Sequence, residues 1–251
     1  MKQQHWKNFL TLQCKEILSA LEEAKENQKA IMIISPTGLG KTNSIKMFTE
    51  ANPQDTFVVT VGDSFKLEHV IHSIAMQVGA VVVPHGYKAV PHRDKLQAIA
   101  DRLAEISIGG GQPVIILDEA ENLKPSVLKT IKELYDAIID YCGIVMIGTD
   151  QILDSLLNRR NKNRMSVPQL YRRFKAGIRN ISALNKGRDF KPFFDTYISN
   201  LPGVQALLIE RADNYGELHD FLEPVLRQCK TKNVQLTEER FCFFHKIPFK
   251  K

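Results

Sequence analysis

The chain has 251 residues, a formal net charge of +6 and a pI near 9.1, with 43% hydrophobic and 25% charged residues. That balance is that of a globular protein large enough for one α/β core and a small accessory domain. No apolar run approaches the roughly 20 residues that cross a bilayer, so a membrane-spanning chain is excluded and no membrane partner is expected.

From the start, residues 3–26 carry Trp6, Phe9, Leu10, Ile17, Leu18 and Leu21 at helical spacing and predict one amphipathic helix. No apolar stretch of signal-peptide type follows the polar first residues, so a cytoplasmic protein is expected, of a prokaryotic cell, a phage or a mobile element. Residues 29–35 form a short Ile-rich strand. A Gly-rich turn leads to a helix over 42–51, closed by Asn52-Pro53, and a β-branched strand spans 56–61. A helix follows at 67–78, then a short extended piece at 80–83. Two prolines and a glycine make 84–91 a loop, and 93–108 is a helix that stops at Gly109-Gly110-Gly111. Further on, 114–117 is an apolar strand placed beside the first one, 125–141 a helix, and 144–147 a strand. A short helix at 152–157, a basic loop at 158–166, a helix at 170–176 and a last strand at 178–182 follow. After about residue 185 only helices are expected, at 189–200, 204–215, 217–230 and 238–245. The fold class is therefore α/β: a parallel sheet covered on both faces (1–185), then a small all-helical lid with a basic tail (186–251).

Cys14, Cys142, Cys229 and Cys242 form no C-x-x-C pair and read as buried, reduced thiols. Between Arg159 and Lys191 eleven basic residues face a single acid, Asp189. Solvated faces usually mix signs, so this run asks for an anionic partner.

The chemistry concentrates in four places. The strand at 29–35 runs into Ser35, Pro36, Thr37, Gly38, Leu39, Gly40, Lys41, Thr42 and Asn43, which fit the P-loop pattern with Ser35 in place of its first glycine. Gly38 and Gly40 let backbone amides turn toward phosphates. Lys41 would neutralise β- and γ-phosphate oxygens, and the Thr42 hydroxyl would ligate Mg²⁺. The apolar run Val114-Ile115-Ile116-Leu117 ends in Asp118 and Glu119 at the strand end where α/β sheets bind ligands. Asp118 would serve Mg²⁺ and Glu119 would act as general base toward water. The strand at 144–147 ends in Gly148-Thr149-Asp150; Thr149 is a candidate γ-phosphate sensor and Asp150 a helix cap. Leu170-Tyr171-Arg172-Arg173-Phe174 offers an arginine finger to a neighbouring subunit, with Arg173 favoured and Arg172 the alternative.

In motif order and spacing, about residues 1–230 resemble the AAA+ ATPases of DNA transposition, the phage Mu B protein and its TnsC/TniB relatives. The resemblance rests on the P-loop, on Ile115–Ala120 with Leu123-Lys124-Pro125, on Gly148-Thr149-Asp150, on Leu170–Phe174 and on Tyr215-Gly216-Glu217-Leu218. It implies ATP and Mg²⁺ as cofactors, weak hydrolysis stimulated by DNA or a partner, and head-to-tail oligomers or helical filaments on duplex DNA. It also implies target selection and regulation of a transposase. No conventional sensor-II Arg stands near Gly216, whose neighbours are Glu217 and His219; Arg211 is a distant substitute, and His219 reads as a helix-surface or packing histidine. Residues after the second strand would line the filament's inner surface, so Lys66, Lys88 and Arg93 are candidate DNA contacts. Arg159, Arg160, Lys162, Arg164, Lys186 and Arg188 join them through the basic run. No base-reading element is evident, so sequence-tolerant binding is expected. The motifs leave two alternatives: a helicase loader or replication initiator, and a nucleotide-gated interaction module with little hydrolysis.

Overall fold

The computed structural model describes residues 6–81, 90–161 and 167–248. In chain order the elements begin α1 (Leu12–Glu26), β1 (Ala30–Ile34), α2 (Lys41–Ala51), β2 (Thr56–Thr60), α3 (Leu67–Val78) and α4 (His92–Ile108). They continue with β3 (Val114–Asp118), α5 (Pro125–Ile138), β4 (Gly143–Gly148), α6 (Asp150–Asn161), α7 (Val167–Phe174) and β5 (Ile178–Asn180). The last five are α8 (Lys186–Asp189), α9 (Lys191–Tyr197), α10 (Pro202–Arg211), α11 (Tyr215–Thr231) and α12 (Glu238–Phe244). The chain divides into two compact units. One comprises Glu16–Pro36 and Ser44–Ile181, the other Met1–Lys15, Thr37–Asn43 and Ser182–Lys251.

The first unit holds a five-stranded parallel sheet in the order β2-β3-β4-β1-β5. The central strands β1, β3 and β4 are buried along their whole length, which is why they read as unbroken apolar runs. Their side chains alternate between two cores. Ala30, Met32, Ile34, Ile115, Leu117, Ile144 and Met146 pack with residues of α3 to α7. Ile31, Ile33, Val114, Ile116, Val145 and Ile147 pack with α1 and α2. The sheet is thus the middle of three layers.

The strand bearing Asp118 was expected beside the P-loop strand, but β4 lies between them and pairs with both. Sequence order carries no information on which parallel neighbour a crossover selects. Boundaries also move. The leading helix starts at Leu12, so Trp6, Phe9 and Leu10 precede it. Ala80 and Val81 belong to no strand, and the rest of the expected extended piece and most of the 84–91 loop lie outside the described residues. The helix after β4 starts at Asp150 and reaches Asn161, consuming the first part of the expected basic loop.

In the second unit the expected helix at 189–200 is two helices, α8 and α9. Pro192 sits in the first turn of α9, where its missing N–H is harmless and its fixed φ favours a new start. The expected helix 204–215 ends at Arg211, because Asn214 caps α11 by accepting the amide of Glu217. The core of this unit is aromatic: Phe190, Phe193, Phe194 and Phe241 with Leu208, Leu218, Leu222 and Val225. Trp6 and Phe9 pack against it. Trp6 stacks on Phe193 and Tyr197 at 5.3 and 5.0 Å between ring centroids. Their apolar spacing imitates a helix, but a non-helical segment packs them against this core.

Candidate functional site

In the sheet-bearing unit the carboxyl ends of β1, β3 and β4 share one edge. Ser35 is buried, and its amide donates to the Gly148 carbonyl at 2.9 Å, carrying the β1–β4 pairing one step past the strands. Its φ is not in the left-handed region, so a glycine is not required at the loop entry. Asp118 closes β3 with a side chain only 4% exposed, and its Oδ1 accepts the amide of Glu119 at 2.9 Å. Glu119 takes a left-handed conformation (φ 54°), which ends the strand and leaves its side chain exposed.

Asn122 fastens this turn. Its amide nitrogen donates to the Val61 carbonyl at 2.8 Å and reaches Glu119 Oε2 at 3.4 Å. Sequence reasoning missed it, since nothing in its local sequence marks a polar residue one helical turn past Glu119. Thr149 precedes α6, where its carbonyl accepts the amide of Ile152, so Thr149 occupies the cap position expected for Asp150. The Thr149 hydroxyl oxygen is buried and makes no hydrogen bond among the described residues. The same is true of Glu121 Oε2, which lies where a Cβ on Gly148 would be. A buried hydroxyl left alone costs about 1–3 kcal/mol, so a bound group that supplies its partner recovers that energy.

In the helical unit stand Thr37, Gly38, Leu39, Gly40, Lys41, Thr42 and Asn43. Gly38 and Gly40 have φ of 76° and 85°, the left-handed region that glycine enters without strain. α2 begins at Lys41, placing the positive end of its dipole at the loop. The Gly38 carbonyl accepts the amide of Tyr215 at 3.1 Å. The Asn214 side chain packs so closely that a Cβ at Gly38 would lie 2.3 Å from its Cγ. Behind this, the Tyr215 hydroxyl donates to Gln13 Oε1 at 2.8 Å, and Gln13 Nε2 donates to the buried carboxylate of Asp189 at 3.0 Å. Burial pushes the Tyr215 phenol up to about 12, so it stays a donor. Burial also opposes ionisation of Asp189. Hydrogen bonds from Arg188, the Asn185 amide and Gln13 outweigh it and hold the carboxyl below its ordinary range. Asn214 and Gln13 were also missed. The Asn-x-x-Glu spacing of Asn214 and Glu217 was the available signal for Asn214.

The basic run is less bare than its sequence suggests. Arg173 bonds Asp136 at 2.6 Å, Arg179 bonds Glu23 at 2.8 Å, Lys186 bonds Asp213 at 2.6 Å and Arg188 bonds Asp189 at 2.5 Å. Three of these acids are distant in sequence, so counting signs along the run missed them. Arg172 is exposed and has no described partner. Lys66 immediately precedes α3 and Arg93 is the second residue of α4. Glu68 bonds Lys95 at 2.8 Å and His92 at 3.1 Å, so the two helix starts adjoin with Lys66 and Arg93 both exposed. Arg159 and Arg160 lie on α6, while Lys88, Lys162 and Arg164 lie outside the described residues.

A parallel sheet with a P-loop on one strand and an acidic pair closing another defines a P-loop nucleotide domain of the AAA+ ATPase class. A model of the AAA domain matches residues 23–157, more than half of the chain, and the chain belongs to that family. Among its relatives, the Mu-like prophage FluMu DNA transposition protein B of Haemophilus influenzae is 22% identical over 142 residues, 57% of this chain and 45% of the relative. The chain spans less than half the length of the curated relatives it matches. Domain III of the Thermotoga maritima replication initiation protein DnaA superposes with a TM-score of 0.58 at 14% identity, covering 94% of this chain and 91% of that one. DnaA bound to AMPPCP and single-stranded DNA superposes at 0.50 with 15% identity, covering 87% and 60%. Among the described residues no helix is long and apolar enough to cross a membrane.

Proposed function

We propose that the chain binds and hydrolyses ATP at the loop 35–43, and assembles head to tail on duplex DNA as a target selector and transposase regulator. The observation that carries the nucleotide reading is the loop: a buried strand turns through two left-handed glycines into the start of a helix. That backbone form directs amides at phosphate. Lys41 neutralises the β- and γ-phosphates, Glu119 takes the proton of the attacking water, and the Thr149 hydroxyl bonds the γ-phosphate or that water. Residues 186–251 serve as the helical lid.

The donor chemistry fits Mg²⁺, which prefers one or two protein oxygens and takes the rest from phosphate and water. The Thr42 hydroxyl, exposed and without a described partner, and the Asp118 carboxylate are the residues that would hold it. Bound there, the ion would neutralise charge on the phosphates.

The DNA reading draws on the similarity to a transposition protein B and on the exposed cations Lys66 and Arg93 at adjoining helix starts. An arginine from a neighbouring subunit, Arg172 or Arg173, completes the hydrolytic site in the oligomer.

The test is electron microscopy of the purified chain with duplex DNA, with and without ATP, beside Lys41→Ala. Filaments that need ATP and vanish in the variant are expected. Normal filaments in Lys41→Ala overturn the nucleotide site. Tight ATP binding without duplex affinity at low salt overturns the DNA reading. Hydrolysis that requires a helicase partner moves the chain to the loader class.

A further inference from the structure

The last two helices enclose a groove that no part of the nucleotide chemistry uses. It lies between the second half of α11, the 232–235 turn and α12, with a volume of about 540 Å³. Val225 and Cys229 form its buried floor, Val234 and Phe244 its walls. Phe243 stands on the rim with 85% of its surface in solvent, the most exposed of the chain's described phenylalanines. The other rim residues are Lys232, Arg240 and Lys246. None of these three cations is paired with an acid among the described residues; Arg240 bonds only the Gln235 and Thr237 region of its own turn. Of the acids nearby, Glu238 accepts the Gly203 amide and Glu223 pairs with Arg227, while the exposed Glu239, next to Arg240 on α12, is not among the residues that line the groove.

We infer that this groove is a docking site for an acidic segment of a partner protein that carries an apolar or aromatic anchor. Two observations of different kinds converge on that chemistry. The floor and Phe243 offer apolar surface that gains by being covered. The rim offers three cations and no acid, so the complement is negative. A phosphate backbone would answer the cations but leave the apolar floor and Phe243 uncovered, which argues against DNA. The chain's own final residues, Phe249-Lys250-Lys251, carry the rim's own sign and are a poor occupant.

The experiment uses the full chain and a fluorescein-labelled peptide of alternating glutamate and leucine with one central phenylalanine, followed by fluorescence anisotropy. Three controls accompany it: the same peptide with serine at every apolar position, a labelled DNA duplex, and sedimentation of the protein alone. Phe243→Ser should weaken peptide binding roughly tenfold or more, as loss of an aromatic anchor does. It removes an exposed side chain, so an unchanged thermal midpoint is expected and checks that the fold is intact. Lys232→Glu combined with Arg240→Glu should weaken binding at least as much, and the serine peptide should bind as poorly as the variants do. Lys41→Ala should bind the peptide with wild-type affinity, which separates this site from the nucleotide reading.

Equal peptide affinity in wild type and Phe243→Ser overturns the proposal. So does loss of duplex binding in the groove variants with peptide binding intact, which assigns the groove to DNA. Self-association that Phe243→Ser abolishes, without peptide binding by the wild type, overturns it in favour of a second copy of the chain.

Discussion

The amide of Tyr215 donates to the Gly38 carbonyl at 3.1 Å, and the neighbouring Asn214 side chain occupies the space a Cβ on Gly38 would need. Gly38 is therefore constrained twice, by its left-handed backbone and by a packed neighbour. Gly40 is constrained once, since a Cβ there meets nothing within 4 Å.

This difference makes a paired prediction. Gly40→Ala should cost only the handedness strain, about 1–2 kcal/mol. Gly38→Ala should cost the same strain and also displace Asn214, losing its cap of α11 for about 1 kcal/mol more. Chemical unfolding of both variants checks the order; equal losses would remove Asn214 from its role against the loop.

Glu119→Gln should bind ATP as the wild type does and turn it over far more slowly, because binding needs the loop and hydrolysis needs the base. ATP-bound oligomers should accumulate and be visible by sedimentation. Wild-type turnover in this variant would exclude Glu119 as the base.

The two arginines at the end of α7 should behave differently. Arg173 is tied to Asp136 across partly exposed surface, so Arg173→Ala should lower stability by no more than about 1 kcal/mol. Arg172 has no described partner, so Arg172→Ala should leave the melting temperature unchanged. Whichever is the finger should lose roughly a thousandfold or more in turnover by the oligomer. Full turnover by both single variants would refute a finger on this helix.

Asp189 gives the helical unit a predictable response to acid. Its carboxyl is held below the ordinary range in the folded chain, so the unfolded chain takes up the proton first as pH falls. The stabilisation is fully present above the unfolded value and fades as pH drops through the folded one. Trp6, the single tryptophan, packs in this unit and reports on it. Thermal unfolding followed by its fluorescence between roughly pH 3 and pH 6 should show a midpoint that falls with acid. In Asp189→Asn the midpoint should start lower and fall less. Parallel curves would exclude Asp189 as the source.

All four cysteines are buried, and burial pushes the Cys142 thiol, and to a lesser degree that of Cys242, up toward the unreactive neutral form. A thiol reagent should label the native chain slowly and the denatured chain at once. Rapid native labelling would contradict this packing.

What was legible in the sequence was local. The strands Val114–Asp118 and Gly143–Gly148 announce themselves as unbroken apolar runs because both faces are covered, and the Leu67–Val78 helix shows its own periodicity. The glycines and Lys41 sit on contiguous residues, so the loop was legible too. What was hidden depends on residues far apart. The placement of β4 beside β1, the pairing of Arg179 with Glu23, and the link from Gln13 to Asp189 all join segments that no window contains. The leading segment misled for a related reason. Trp6 and Phe9 satisfy an apolar period, but what they contact is Phe193, and that decides their conformation.

The left-handed turn at Glu119 gives two adjacent carboxylates two different surroundings. Asp118 is buried at the end of β3, and its Oδ1 accepts the amide that follows it. Glu119, one residue on, is exposed, and the Asn122 amide reaches it at 3.4 Å. A continued strand would have sent the second carboxylate to the opposite side of the sheet. The left-handed turn instead redirects the chain after Asp118, so that of two adjacent acids one is buried and the other exposed.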